Sequence, residues 1–403
     1  MAKQIAKEKP ISTAKIWLVL ILGSLTAFGP LSMDMYLPAL PDVANDLQAS
    51  TSLVQLSLTA TLLGLGVGQL FFGPLSDIHG RRHPLLFTLF SYGVVSLLIG
   101  LTSHIMWFIV LRFFQGFTGA AGVVIARASA RDMYSGKALT KFIALLALVN
   151  GAAPILAPVV GGFVLRYTEW EGIFYILASI GFIMLIAVLF LLPDTLPEEK
   201  RAKGGLFQTL KTFKGLLSDR FFMGISFTQA FMMAGMFAYI AGSPFILQNL
   251  YGVSPQEFSL FFALNGLGII AAAQLTGRLA AKFEEINLLR AGIFYGAIGG
   301  IGLLFVVWME LSIVYMAIAL FMIVSSVGII STTSFSLAME AQGDAAGSAS
   351  AFLGLLPFIA GGIVSPLVGI AGDTSAFPMM LIIVICHLFA IVCYTFARKN
   401  QAS

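Results

Sequence analysis

The sequence predicts an all-α integral membrane protein with twelve transmembrane helices in two pseudo-symmetric six-helix bundles. Of its 403 residues, 58% are hydrophobic and only 10% are charged, whereas a soluble domain is about a quarter charged. Twelve apolar runs are long enough to cross a bilayer, and one long polar stretch divides them six and six. This composition excludes a disordered or nucleic-acid-binding chain and argues against a soluble enzyme.

The twelve predicted spans each contain the roughly 20 mostly apolar residues that a helix needs to cross the hydrocarbon. The first six are predicted at 16–38, 52–76, 84–102, 105–127, 141–165 and 172–192, and the second six at 221–247, 257–279, 288–308, 312–336, 347–371 and 377–397. Glycine and proline within these runs are compatible with bilayer helices. The first run follows several lysines, as in a signal peptide, but it is too long and lacks a small-residue cleavage site. We therefore expect a retained span.

The distribution of basic residues predicts the orientation of the chain. With the N-terminus inside, 21 of the 23 Lys and Arg fall in cytoplasmic segments; Arg166 alone is external, and Arg112 lies within a span. This bias is typical of the positive-inside rule. Both termini are therefore predicted to be cytoplasmic, and the basic net charge requires no nucleic-acid partner.

The predicted domains are residues 1–192, a cytoplasmic linker at 193–220 with an amphipathic segment at 206–217, and residues 221–403. The halves repeat weakly at an offset of about 204 residues, so that Gly73-Pro74-Leu75-Ser76-Asp77 corresponds to Gly277-Arg278-Leu279-Ala280-Ala281. Internal repeats of spans are usual in transporters, which hold their substrate between the repeats near the bilayer midplane.

Two charged residues stand out because they lie within predicted spans. Asp34 is the only acidic residue and Arg112 the only basic residue more than two positions inside the end of a predicted span, and they are predicted at similar depths below the external surface. Charges inside the bilayer are expensive and usually functional. Asp34 has two interpretations, a proton-binding carboxylate or a helix-end acid beside Pro38 and Pro41. Arg112 is either a partner of Asp34 or a structural arginine that donates to backbone carbonyls. Their counterparts in the repeat are Ala238 and Met316, so the two halves have different roles.

Polar and adaptable side chains within the spans are candidates for a central cavity. Methionines and aromatic residues of span seven suit an adaptable binding surface, although packing against lipid or other helices explains most such residues equally well. The candidates are Gln115, Asn150, Met236, Phe237, Tyr239 and Asn265.

Metal and cofactor sites are not expected. His79 and His83 have ligand-like spacing but no evident third ligand. Cys386 and Cys393 are seven residues apart on one predicted helix, too far for a disulfide. The chain contains no Walker motif, so ATP is not expected to be its energy source.

Four sequence motifs resemble those of the major facilitator superfamily, and most closely its twelve-span drug:proton antiporters of the Bcr/CflA (bicyclomycin- and chloramphenicol-resistance) subfamily. The stretch from Gly73 to Arg82 resembles the signature between spans two and three, with Ile78 where many members have a basic residue. Asp34 to Pro41 is similar to the span-one motif, and Leu111 to Gly116 to the span-four motif. Pro154, Pro158, Gly161 and Gly162 match the span-five antiporter motif, in which Ala144, Ala153 and Ala157 replace glycines of the fullest form.

This resemblance implies a bacterial inner-membrane exporter, not an enzyme, that exchanges protons for small neutral or cationic drugs by alternating access. Asp34 would bind the proton beside Arg112. Asp77 would face a helix N-terminus of the other half, and with Gly73, Gly80, Arg81 and Arg82 would form a cytoplasmic latch; the span-five prolines and glycines would seal against proton leak. We expect a monomer without cofactors. The alternatives are a proton-coupled nutrient importer and a non-transporting membrane sensor.

Overall fold

The computed structural model describes residues 13–201, 216–340, 342, 346–372 and 375–401, and the described chain is helical almost throughout. The predicted amphipathic segment at 206–217 lies almost wholly outside the described residues. The helices of the first half are α1 (Thr13–Thr26), α2 (Phe28–Asp34), α3 (Leu40–Asp46), α4 (Thr51–His79), α5 (Arg82–Gly100), α6 (Ile105–Met133), α7 (Gly136–Val164) and α8 (Trp170–Leu191). Those of the second half are α9 (Arg220–Phe245), α10 (Pro255–Leu279), α11 (Glu285–Trp308), α12 (Ile313–Glu340), α13 (Ala346–Val368) and α14 (Phe377–Gln401).

The number of membrane-spanning helices agrees with the predicted twelve. Within the described chain, eleven helices are long and apolar enough to span a bilayer, and a bent pair, Trp17–Thr26 with Phe28–Asp46, makes a twelfth. We name the two ends of the bundle by the orientation predicted from charge. The external end carries residues 47–50, 165–169 and 251–254, and the cytoplasmic end carries residues 80–81, 134–135 and 280–284.

The first span differs from the single run predicted at 16–38. It bends by 41° at Ala27 and continues through a 3₁₀ turn, Leu37–Ala39, into α3. Proline accounts for the bend, because Pro30 has no N–H to donate to the Thr26 carbonyl and its ring crowds that oxygen. The bend places Asp34 at the end of a short helix, α2, rather than within a regular span.

Several helices extend beyond the apolar runs that predicted them. The helix α4 continues to His79, α6 to Met133 and α12 to Glu340. Apolarity marks the part of a helix that contacts lipid, whereas the helix itself continues as long as its residues favour it. Residues 128–133 continue the helix, so Arg127 lies within α6 although the predicted span ended there.

Close packing of α4 on α6 depends on glycines. A Cβ atom added to Gly64 would lie 2.2 Å from the carbonyl oxygen of Phe113, and one added to Gly116 would lie 2.3 Å from that of Thr61. Small residues allow two membrane helices to approach to backbone contact. This pair forms a rigid wall of the first half, to which the polar residues of α6 are anchored.

Candidate functional site

A cavity of about 460 Å³ lies between the two halves of the molecule. Most of its lining side chains are apolar, and methionine and phenylalanine are prominent among them. Asp34 and Arg127 are the only charged side chains among the described residues that line it. The residues that line it are Gly29, Pro30, Met33, Asp34, Leu65, Gln69, Val123, Arg127, Asn150 and Pro154 from the first half, and Gln229, Met233, Met236, Phe237, Tyr239, Ile240, Phe262, Asn265, Gly266, Ile269, Val324, Leu353, Gly354, Pro357 and Phe358 from the second.

Five of the six residues predicted for a central cavity line this one: Asn150, Met236, Phe237, Tyr239 and Asn265. Gln115 does not. It is fully buried within the first half, where its amide nitrogen donates to Ser96 Oγ at 2.8 Å and its amide oxygen accepts from Arg112. Gln115 faces α5 instead of the cavity and holds the guanidinium of Arg112 by a hydrogen bond.

Asp34 ends α2 and presents its carboxylate to the cavity, with 6% of the residue exposed. The carboxylate makes no hydrogen bond or ion pair with any residue that the structure describes. A buried carboxylate without a fixed partner is costly when charged. Such a group can bind and release a proton without first breaking a strong contact.

Arg112 is completely buried beside the chain segment that leads to Asp34. Its Nη1 donates to the Ser32 carbonyl at 2.7 Å and to Gln115 Oε1, and its guanidinium carbon lies 4.5 Å from the centre of the Tyr36 ring and 5.5 Å from that of Phe174. Its Nε and Nη2 have no hydrogen-bond partner among the described residues. Asp34 and Arg112 therefore lie at the same level, as their sequence positions predict, but they do not form an ion pair with each other.

Two tyrosines that sequence reasoning missed support this buried cluster. The hydroxyl of Tyr92 is hydrogen-bonded to Ser32 Oγ at 2.8 Å, and that of Tyr36 to Ser57 Oγ at 2.5 Å. Both tyrosines are almost fully buried. Their only signal in the sequence is a hydroxyl within an apolar run, which does not distinguish them from tyrosines at a lipid interface.

Polar groups of the second half enter the cavity from the opposite side. Asn265 Nδ2 donates to the Tyr239 hydroxyl at 2.8 Å, and the Tyr239 ring stacks on Phe262. Gln229, which was not predicted to line the cavity, is nine-tenths buried, and its Oε1 has no hydrogen-bond partner among the described residues. The Gln229 amide oxygen is itself buried, so the described chain leaves this acceptor without a donor.

Five side chains close the external end by donating to backbone carbonyls of the opposite half, and we call these contacts the external seal. Gln55 donates to the Ala241 carbonyl at 3.0 Å and Thr59 to that of Gly362 at 2.8 Å. In the reverse direction, Gln248, Gln256 and Ser259 donate to the carbonyls of Pro38, Gly162 and Pro158 at 3.0, 2.8 and 2.8 Å.

The span-five motif lies at this seal and above the cavity. Pro154 lines the cavity, Pro158 and Gly162 supply two of the carbonyls, and Gly161 packs directly against the turn after Asp34. A Cβ atom on Gly161 would lie only 1.8 Å from the Met35 carbonyl oxygen.

The loop motif forms a charged cluster at the cytoplasmic end. Arg81 bonds Asp77 at 2.6 Å and Asp132 at 2.8 Å, and its backbone N–H donates to Asp194. Burial opposes the charge on Arg81, but the hydrogen bonds with Asp132 and Asp77 outweigh it and raise the pKa of the guanidinium. Asp132 and Asp194 were not predicted, because acidic residues outside the apolar runs are common and carry no distinguishing signal.

Glycine is required at one corner of this cluster. Gly80 has φ +83°, and a Cβ atom there would lie 2.1 Å from Asp194 Oδ2. Gly73 faces Val124 of α6, and Arg82 donates to the Leu189 carbonyl. In this structure the described contacts of Asp77 remain within the first half, whereas the latch expected from the family resemblance would join it to the second.

Neither a metal site nor a disulfide is found in the described part of the chain. No group of three or more His, Cys, Asp or Glu side chains is arranged to hold a metal ion among these residues. Cys386 and Cys393 are both free thiols.

Together the fold and the cavity define a multi-pass membrane protein that encloses a small-molecule site between two helical halves. The family model for the Major Facilitator Superfamily matches residues 22–366. The chain therefore belongs to the Major Facilitator Superfamily, and it is a transporter and not an enzyme.

Known relatives and structures are consistent with this assignment. An uncharacterized MFS-type transporter of Bacillus subtilis, YdgK, is 44% identical over 374 residues, which are 92% of this chain and 93% of that protein. A bicyclomycin resistance protein homolog of Haemophilus influenzae is 31% identical over 383 residues, 95% of this chain and 96% of that protein. The crystal structure of PepTSo, a POT family transporter, has a TM-score of 0.76 at 15% identity and covers 96% of this chain and 98% of its own. The chain is thus a secondary transporter related to drug-resistance proteins of bacteria.

Proposed function

We propose that this transporter is a monomeric, proton-coupled efflux antiporter of the Bcr/CflA subfamily, located in a bacterial inner membrane with both termini in the cytoplasm. The observation that carries the proposal is Asp34, the one carboxylate among the described residues lining the cavity between the halves. It has no ion pair within the described chain, so its charge is free to change with the occupant of the cavity.

The exchange follows from alternating access to the cavity. With the external seal closed, a charged Asp34 favours entry of a neutral or cationic compound from the cytoplasm. When the cavity opens outward, a proton neutralises Asp34, which weakens its hold on the cargo and releases it. The proton then leaves on the cytoplasmic side, which restores the charged carboxylate.

Coupling does not require a direct contact between cargo and Asp34. The cargo and the proton need only disfavour each other's bound state, and about 1–3 kcal/mol of coupling free energy is enough for useful exchange. Arg112 supports this arrangement, because its fixed positive charge at the level of Asp34 stabilises the deprotonated carboxylate against the cost of burial.

The apolar lining supports small drug-like compounds as cargo. Met233, Met236, Phe237 and Phe358 surround the middle of the cavity, and flexible methionines adapt to differently shaped ligands. The relative named for bicyclomycin resistance points to the same class.

The decisive experiment measures gradient-driven transport by purified protein in liposomes, with chloramphenicol and a lipophilic cation as cargo. We expect the wild type to move cargo against its gradient when a pH gradient is imposed, and Asp34→Asn to lose this uphill movement while still allowing cargo to equilibrate. Asp42→Asn is the matched control, because Asp42 lies eight residues further on, is exposed and does not line the cavity.

Uphill transport by Asp34→Asn would remove Asp34 from the coupling step. The direction of movement in the same assay separates export from import, since an importer would accumulate cargo together with protons.

A further inference from the structure

Arg127 is the second charged residue of the cavity, and neither the family motifs nor the proton-coupling scheme gives it a role. It lies on α6 and lines the same cavity as Asp34. The sequence places Arg127 among the cytoplasmic basic residues of the positive-inside pattern, because the apolar run ends at this residue. Since α6 continues to Met133, Arg127 is instead part of the cavity wall.

The guanidinium of Arg127 has no partner among the residues that the structure describes. The residue is exposed to the cavity and makes no hydrogen bond or ion pair with a described residue. The two other arginines of functional interest are held differently: Arg81 is bonded to two aspartates, and Arg112 to a carbonyl and an amide. Arg127 thus keeps its hydrogen-bonding capacity for something that enters the cavity.

Asp34 does not neutralise Arg127. Fifteen residues of one helix separate Arg127 from Arg112, a distance of about 22 Å along the axis, and Arg112 is bonded to Ser32, two residues before Asp34. The acid and the free base therefore lie towards opposite ends of the cavity. An anionic group that binds at Arg127 is kept away from the negative charge of Asp34.

A planar guanidinium fork is suited to bidentate binding of a carboxylate. The lining of the same cavity includes the apolar side chains of Met233, Met236 and Phe358. We propose that Arg127 binds the carboxylate of amphipathic organic acids, which extends the cargo of this transporter beyond neutral and cationic compounds. This inference rests on the proposed function of the cavity as the transport site.

The test compares two ligands of the same shape, naphthoate and naphthamide, by calorimetric titration of the purified full-length protein at neutral pH. We expect the wild type to bind naphthoate more tightly than naphthamide. We expect Arg127→Gln to weaken naphthoate binding about tenfold, as loss of a charge-assisted hydrogen-bonded pair does, and to leave naphthamide binding within about twofold. Arg127→Lys, which keeps the charge but not the fork, should fall between the two.

Arg131→Gln is the matched control, because Arg131 lies one helical turn further along α6 and does not line the cavity. It should bind both ligands as the wild type does. A wild type without preference for naphthoate would overturn the proposal, and so would equal loss of both ligands in Arg127→Gln, which would mean that Arg127 acts on the conformation instead.

The outcome is independent of the coupling test. Charge-selective binding at Arg127 is measured without a pH gradient, so it can fail while Asp34→Asn still abolishes uphill transport. Conversely, loss of the antiport proposal would leave the naphthoate preference of Arg127 measurable in the same protein.

Discussion

Arg112 shows how this molecule holds a positive charge inside a membrane helix bundle without a carboxylate partner. The residue is fully buried, and its contacts are a backbone carbonyl, a glutamine oxygen and the faces of Tyr36 and Phe174. These contacts depend on a flat, delocalised cation, which both donates at its edge and lies over aromatic rings. The shape of the side chain therefore matters as much as its charge.

Arg112→Lys tests this conclusion. An ammonium group cannot keep both hydrogen bonds and the ring contacts, so we expect the free energy of unfolding to fall by about 1–2 kcal/mol. Arg131→Lys, the same change on the exposed part of α6, should leave it unchanged. Unfolding by titration with a denaturing detergent measures both, and equal midpoints for the two variants would contradict the assigned role.

The sequence predicted these two charged residues because they interrupt apolar runs, but it did not predict their geometry. Asp34 and Arg112 do lie at one level, yet Arg112 is satisfied by Ser32 and Gln115 instead of by Asp34. Arg127 was missed for the opposite reason. It stands at the edge of an apolar run, where a charge that faces a cavity and one that faces the cytoplasm look the same.

At the scale of the element, the glycines of α7 differ in how closely other residues pack against them. Gly161 contacts the backbone at Met35, whereas Gly151, ten residues earlier on the same helix, has no atom of a described residue within 4 Å of the position where a Cβ would lie. Both glycines lie within the same helix, and the sequence does not distinguish them. Their packing differs, because Gly161 lies at the external seal and Gly151 beside open space.

Gly161→Ala and Gly151→Ala should accordingly change the free energy of unfolding in different directions. We expect Gly161→Ala to destabilise the protein by about 1–3 kcal/mol, the usual cost of overpacking. Gly151→Ala should be neutral or stabilise it by up to about 1 kcal/mol, because alanine favours the helix. Thermal unfolding of the purified variants measures the difference, and a similar loss in both would show that the contact at Met35 is not rigid.

The helices themselves were predictable in number but not in their ends. Hydropathy reports contact with lipid, so it gave the twelve spans, and the predicted all-helical membrane fold is confirmed. It could not report that α6 and α12 continue past the apolar core, nor that the first span bends. Pro30 was visible in the sequence, but prolines also occur within unbroken helices here, as Pro74 does in α4.

At the scale of the whole molecule, the external seal holds the two halves together at one end of the cavity. The five donors are uncharged polar side chains, and each bond is worth about 1 kcal/mol. Such a seal is stable enough to close the cavity and weak enough to open during each transport cycle. Because the five bonds join several helices of the two halves, the external end opens only when these bonds break together.

Thr59→Val should shift this equilibrium towards an externally open state. The change keeps the shape of the side chain and removes one bond to the second half, which corresponds to about a fivefold change in population. Thr61→Val is the control, because Thr61 lies on the same helix, is also buried, and among the described residues donates only to the Ser57 carbonyl of its own helix.

Spin labels at Ser103→Cys and Ser312→Cys, in a background without Cys386 and Cys393, report the distance between the external ends of the halves. A longer-distance population should grow in Thr59→Val and not in Thr61→Val. Identical distance distributions in the two variants would show that the Thr59 bond does not contribute to closure.

The chemistry of that seal also bears on how the protein tolerates mutation. Every acceptor in it is a main-chain oxygen, which persists whatever side chain the residue carries. A substitution on the accepting side, such as one at Ala241, leaves the acceptor in place provided the backbone keeps its path. The chemical constraint therefore falls on the donating side chains and on Gly162, where a Cβ atom would lie 2.4 Å from Ser259 Oγ. Transporters of this kind can therefore diversify the residues around the cavity during the evolution of new specificities, while the closing of the external end remains intact.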